Sequence, residues 1–214
     1  GPVLASAAAF RITVEGQGGH AARPHAARDP VVAGAALVQA LQSVVSRALD
    51  PLEPAVVSVT QFHAGEADNV IPARAVLSGT TRSFSDAAQA TIEAEMGRLC
   101  AQTGRAFGVE IAFERDPSAY PAVVNDAGAA DIAEATARAA LGDAAVTRGH
   151  RPAMCGEDFA FLAREVPSAF VLIGNGESAP LHHPAYDFSD SAAPSGVAFW
   201  ASLAARAFSS PDDP

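Results

Sequence analysis

Phe10-Arg-Ile-Thr-Val-Glu-Gly-Gln-Gly-Gly-His-Ala-Ala-Arg-Pro-His-Ala-Ala-Arg-Asp-Pro30 reads as a strand, a loop and the first turn of a helix. From Phe10 to Gly16 apolar and polar residues alternate, the pattern of a strand with one buried face. Asp29-Pro30 is a helix start, with a side-chain acceptor at the cap and proline at the first helical position. Between them, Gly18-Gly19 opens a turn carrying His20, Arg23 and His25. Glycine there permits positive φ or close approach to a ligand. By spacing alone, this loop is equally a polar surface turn or a ligand-facing one.

The units that follow extend the pattern. Val32, Ala36, Leu37, Ala40, Leu41, Val44 and Val45 recur at helical spacing up to Ala48, and Pro51 and Pro54 end that helix. Ala55–His63 is rich in β-branched residues, and a polar turn over 64–69 leads into a third strand, Ala73–Phe84. A second helix runs from Asp86 to about Gly104, with Ile92, Met96 and Leu99 on one stripe; Phe107–Phe113 is a fourth strand. The order β-α-β-β-α-β predicts a ferredoxin-like four-stranded sheet with two helices on one face. Such a sheet has edges that a second copy could cover.

After Asp116 the character changes. A helix capped by Asn125 or Asp126 runs to Leu141 and stops at Gly142. A short strand at 145–148, a loop from His150 to Gly156, a helix over Glu157–Glu165 and a buried strand at Ala169–Ile173 follow. A glycine-rich loop over 174–190 and a closing helix, Pro194–Phe208, complete what reads as part of an α/β layer. The expected organisation is a linker over 1–9, the ferredoxin-like domain over 10–115, a partial α/β domain over 116–208 and a tail over 209–214.

Composition narrows the class. Of 214 residues, 49% are hydrophobic and 18% charged, as in a globular protein. The net charge is −10, and all 14 basic residues are arginine, which argues against nucleic acid or an anionic membrane as partner. Cys100 and Cys155 make no disulfide framework, and no apolar run reads as a bilayer span, so a cytoplasmic location is expected.

Several side chains could carry chemistry. Leu181-His-His-Pro-Ala-Tyr-Asp-Phe188 follows the expected buried strand, and ligands gather beyond the carboxyl ends of α/β strands. One of the two histidines could ligate a metal. Arg82 offers a planar fork suited to a carboxylate, and Asn69 sits in the preceding turn. Glu157 and Asp158 are explained by helix capping. No His-Glu-x-x-His, Gly-x-Ser-x-Gly or phosphate-binding glycine loop is present, and no complete metal site is visible.

Taken together, the motifs resemble those of a known family. Gly18-Gly-His-Ala-Ala-Arg-Pro-His25 with Asp29-Pro30, Asp68-Asn-Val-Ile-Pro72, Gly79-Thr-Thr-Arg82, Gly156-Glu-Asp-Phe159 and Leu181–Phe188 stand in its order. Over nearly its whole length the chain resembles the C-terminal half of the metal-dependent amidohydrolases that include hippurate hydrolase, N-acyl-amino-acid amidohydrolases and indole-acetyl-amino-acid hydrolases. The resemblance implies a ferredoxin-like lid inserted into an α/β catalytic domain that holds two divalent metal ions, with Mn, Zn, Co and Ni equally compatible. It implies a homodimer through the lid and a small N-acyl amino acid as substrate.

The resemblance also implies roles for single residues. His20 matches the lid histidine that reaches the partner's active site and stabilises the oxyanion. Asn69 and Arg82 match residues that hold the substrate, and His182 matches the last metal ligand, with His183 where the family often has Asn. The family's Cys-x-His motif, its Glu-Glu pair and a further His lie upstream of the lid, and Gly1-Pro-Val-Leu-Ala-Ser6 resembles the linker ahead of it. The expectation is the C-terminal half of a longer amidohydrolase, which alone neither holds the metals stably nor hydrolyses amides. The competing expectation is a non-catalytic dimerisation or binding module that kept the lid.

Overall fold

Strand β2 (Ala8–Glu15) alternates as its sequence demands: Ala8, Phe10, Ile12 and Val14 are buried, and the residues between them face the other side of the sheet. The computed structural model of the protein describes residues 1–208; the tail expected over 209–214 lies outside them. The remaining strands are β1 (Pro2–Leu4), β3 (Gly19–His20), β4 (Ala55–Ala64), β5 (Val70–Ile71), β6 (Arg74–Ser83), β7 (Glu110–Arg115) and β8 (Val123–Val124). The helices are α1 (Pro30–Ser43), α2 (Asp86–Phe107), α3 (Ala127–Leu141), α4 (Phe159–Glu165) and α5 (Ala193–Phe208).

The chain divides into two compact units, one made of Pro2–Val123 with Pro152–Phe161, the other of Val124–Arg151 with residues 162–208 and Gly1. In the first, the sheet order is β4-β6-β2-β7, antiparallel throughout, with β2 pairing β6 from Ala8↔Thr81 to Glu15↔Arg74. This is the ferredoxin-like arrangement.

Helix α1 starts where Asp29 accepts hydrogen bonds from the Val31 and Val32 N–H groups at 2.8 and 3.3 Å. It turns Ala33, Leu37 and Leu41 toward the sheet. A Cβ on Gly34 would come within 2.7 Å of the Phe62 ring, so this glycine lets the helix sit close against β4. Ile12, Leu37, Leu41, Leu77, Ile92 and Met96 are fully buried. Each contributes about 2 kcal/mol by area burial. Gly79 faces the irregular step in β4 between Val59 and Gln61, where any Cβ would overlap the Ser58 carbonyl oxygen.

Several expectations need correction. Helix α2 ends at Phe107, not near Gly104: Gly108 takes the left-handed cap at φ 67°, and the Gly104 carbonyl accepts the N–H groups of Gly108 and Val109. Strand β7 accordingly covers Glu110–Arg115. Pro30–Ala48 is one helical run of 19 residues with mean hydropathy 1.3, which by length and composition could cross a membrane. Its Ala33, Leu37, Leu41 and Val44 belong instead to the core of the sheet unit.

The strands expected at 145–148 and 169–173 are not formed. A helical turn takes Asp143–Ala145, and Arg148 turns back onto α3, bonding Asp131 at 2.9 Å and Glu134 at 2.7 Å. Around Ala169–Ile173 the chain finds a side chain in place of a neighbouring strand. The Asn125 amide donates to the Phe170 carbonyl at 2.9 Å and accepts the Phe170 N–H at 2.8 Å. In this second unit α3 packs on α5, whose Phe199 is buried.

Burial pushes the Cys100 thiol up to about 11. The unfolded thiol titrates lower, so above pH 9 the unfolded chain holds fewer protons than the folded one and stability falls until the folded thiol also titrates, near 11. Urea denaturation across that window should show a declining midpoint, flattened in Cys100→Ala. An identical slope in both proteins would reject the burial argument.

Candidate functional site

The histidine loop is closed at its base and shaped by its glycines. Gln17 and Arg28 exchange two backbone hydrogen bonds of 2.9 Å, and the Gly16 N–H donates to the Ala73 carbonyl at 2.8 Å. A Cβ on Gly18 would approach the Ile71 carbonyl oxygen to 2.9 Å, so only glycine allows this crossing. The consequence was not legible in sequence. Gly19 and His20 form a two-residue strand that pairs Ile71 and Val70, and the Ala21 N–H donates to the Asn69 carbonyl at 3.0 Å. Loop and turn, 50 residues apart, thus form one ribbon that presents His20 and Asn69 side by side, both exposed.

The His20 ring is oriented from behind. Its Nδ1 accepts the Ala22 N–H at 3.1 Å. In the neutral ring the proton therefore resides on Nε2, which faces away from that bond as a donor. His25 lies exposed in a short helical turn, Pro24–Ala26, of the same loop.

Arg82 stands at the other end of β6, where Val56 is its cross-strand neighbour. It alternates to the open face, opposite the buried Thr81 and Ser83. Against it lies Gly156, where a Cβ would meet the Ala7 side chain at 2.5 Å, Arg82 Nη1 at 3.3 Å and the Tyr120 ring at 3.4 Å. Tyr120 meets Phe161 edge to face, with ring centroids 5.9 Å apart. No Asp or Glu carboxylate among the described residues forms an ion pair with Arg82. The guanidinium is therefore available for a carboxylate from outside the chain.

The structure brings His20 and Asn69 together but not either of them with Arg82. Eight strand steps separate Arg74, at the ribbon end of β6, from Arg82, roughly 26 Å at the rise of an extended chain. A single small molecule cannot touch both ends.

His182 and His183 belong to the second unit. Asn175 closes their loop, donating to the Asp187 carbonyl at 2.8 Å and accepting the Ser189 N–H at 2.7 Å. His182 is exposed, with the left-handed φ of 68° that is uncommon outside glycine. His183 Nδ1 is engaged by the Ala185 N–H at 3.1 Å. Among the described residues, no three His, Cys, Asp or Glu side chains cluster to hold a metal ion. Glu157 takes the capping role read from the sequence, with Oε1 accepting the Phe159 N–H at 3.4 Å.

If His20 is held as described, nitrogen NMR of the neutral imidazole should find the proton on Nε2. A ring protonated on Nδ1 would contradict the Ala22 bond.

Comparisons with known proteins agree with the family that the motifs resemble. The model of "Peptidase family M20/M25/M40" matches residues 8–206. The chain is 33% identical to hippurate hydrolase of Campylobacter jejuni over 206 residues, covering 96% of this chain and 54% of that protein. It is 36% identical to N-acetylcysteine deacetylase of Bacillus subtilis, covering 95% and 53%. Among solved structures it is similar to the Bacillus subtilis YxeP protein, described as a dinuclear metal binding peptidase from the M20 family. That match has a TM-score of 0.79 and 29% identity, covering 97% of this chain and 51% of that one. The chain spans about half the length of the curated relatives it matches.

Proposed function

Because the chain belongs to peptidase family M20/M25/M40, we propose that it forms the substrate-gripping part of an amidohydrolase that cleaves small, hippurate-like N-acyl amino acids. The observation that carries this reading is Arg82, an arginine with no ion-pair partner among the described residues, set against a glycine on the open face of the sheet. A planar fork in that position suits the free carboxylate of an amino acid.

His20 then serves the other end of the reaction. As water adds to the amide carbon, negative charge grows on the carbonyl oxygen, and an Nε2–H donor aimed at that oxygen lowers the barrier. Asn69, beside His20 on the ribbon, can donate to the same acyl group. Since one chain sets His20 and Arg82 at opposite ends of β6, the reading requires a homodimer. The ribbon of one copy would complete the site that contains the partner copy's arginine.

On this reading the groups that activate water lie outside this chain, in the upstream half that the resemblance implies, and the chain by itself should not hydrolyse amides. Of the two adjacent histidines, His182 is the better ligand. His183 has committed Nδ1 to Ala185, which leaves a proton on its Nε2.

The test uses this chain joined to the upstream half that the family resemblance implies, assayed with benzoylglycine and other N-acyl amino acids. Arg82→Ala should raise KM by about 10–100-fold, with a smaller change in kcat. His20→Ala should lower kcat by about 10²–10³-fold. Unchanged kinetics in either variant removes that residue's role. Complete inactivity of the unsubstituted protein on every such amide would leave the binding-module reading. Light scattering at micromolar concentration should give a dimer mass, and a monomer that is fully active would overturn the shared site.

A further inference from the structure

The two neighbours of Arg82 on β6 are polar and buried. Thr81 and Ser83 point to the helix side of the sheet, and there they meet Ser6 and Gln89, all four no more than 9% exposed. Farther along the same strand and face, Ala75 and Leu77 fill the equivalent positions with apolar groups. Packing therefore does not explain the polar cluster.

Gln89, in the first turns of α2, is its centre. The amide Nε2 donates to Glu93 Oε1 at 2.7 Å and to Thr81 Oγ1 at 3.1 Å. A carboxylate oxygen can only accept, so this bond fixes which way the amide faces. Glu93 is itself held by Arg115 at 2.9 Å. The Gln89 Oε1 is then left toward the hydroxyls of Ser83 at 3.3 Å, Thr81 at 3.4 Å and Ser6 at 3.5 Å. Ser6 closes the circuit. Its Oγ accepts the Ser83 N–H at 3.0 Å, and its own N–H donates to the Ser83 carbonyl at 2.7 Å.

Every member depends on the geometry of the others, because a buried polar group left unpaired is costly. An apolar contact tolerates small slides of the strand end; this network does not. We propose that Gln89 is a positioning residue. Through Thr81 and Ser83 it fixes the end of β6, so that the guanidinium of Arg82, on the opposite face and bounded by Gly156, is held where a substrate carboxylate must arrive. This rests on the reading of Arg82 given above.

The test compares kcat/KM for an N-acyl amino acid and for its carboxamide in the polypeptide that includes the upstream half. The preference for the free acid reports on whichever group binds the carboxylate, assigned above to Arg82. Gln89→Met keeps side-chain length and removes the hydrogen bonds; Thr81→Val does the same at the strand. Both should cut the acid-over-amide preference by about fivefold or more, the loss expected when one charge-directed contact is misplaced. Combining Gln89→Met with Arg82→Ala should lower the preference no further than Arg82→Ala alone. If Arg82→Ala keeps the preference, the assignment of Arg82 fails. If Arg82→Ala abolishes it while Gln89→Met and Thr81→Val retain it, or lose both substrates equally, the positioning role is overturned. Should Gln89→Met not fold, as judged by circular dichroism, Thr81→Val alone decides.

Discussion

Pairing on both sides of Ala8–Glu15 is the constraint from which the first unit follows. Because β2 hydrogen-bonds β6 on one side and β7 on the other, its register fixes which residues of three strands face the helices. A slip of one residue would turn Phe10, Ile12 and Val14 outward and bring Arg11 and Thr13 into the core. The same register places Ser6 opposite Ser83 and sends Arg82 to the open face. The ribbon that presents His20 extends from the other end of the same pairing, where Glu15 meets Arg74 at 3.0 Å.

A rigid strand pair is a good way to keep two functional groups apart. In the proposed function, His20 and Arg82 serve opposite ends of one small substrate, a carbonyl oxygen and a carboxylate. The sheet nevertheless separates them by most of the length of β6. On the proposed reading, association of two copies would reconcile the chemistry with the distance. The antiparallel sheet also offers an edge strand, β4, whose outer half is exposed.

Much of this unit was legible in the sequence because its signals are local. Alternation in Phe10–Gly16, the Asp29-Pro30 cap and the stripe of Ile92, Met96 and Leu99 each specify structure within a few residues. The stop of α2 is ambiguous in the sequence because two glycines, Gly104 and Gly108, compete for the cap. Gly104 is instead needed small inside the helix, where a Cβ would meet the Val109 carbonyl oxygen at 2.9 Å. The His20–Asn69 ribbon and the Gln89 cluster depend on residues dozens of positions apart, which periodicity cannot report. The second unit was read less well for a physical reason. Ala169–Ile173 has strand composition, but a strand exists only with a hydrogen-bonding neighbour, and here Asn125 stands in for one at Phe170.

The central claim is that one substrate is held by Arg82 from one copy and His20 from another. A crystal structure of the protein together with the upstream half, bound to a non-hydrolysable N-acyl amino acid analogue, tests it most directly. The account predicts the ligand carboxylate about 2.8 Å from the Arg82 guanidinium, with His20 Nε2 of the second copy at the acyl oxygen. A carboxylate bound away from Arg82, or His20 and Arg82 of one chain touching the same ligand, would contradict it.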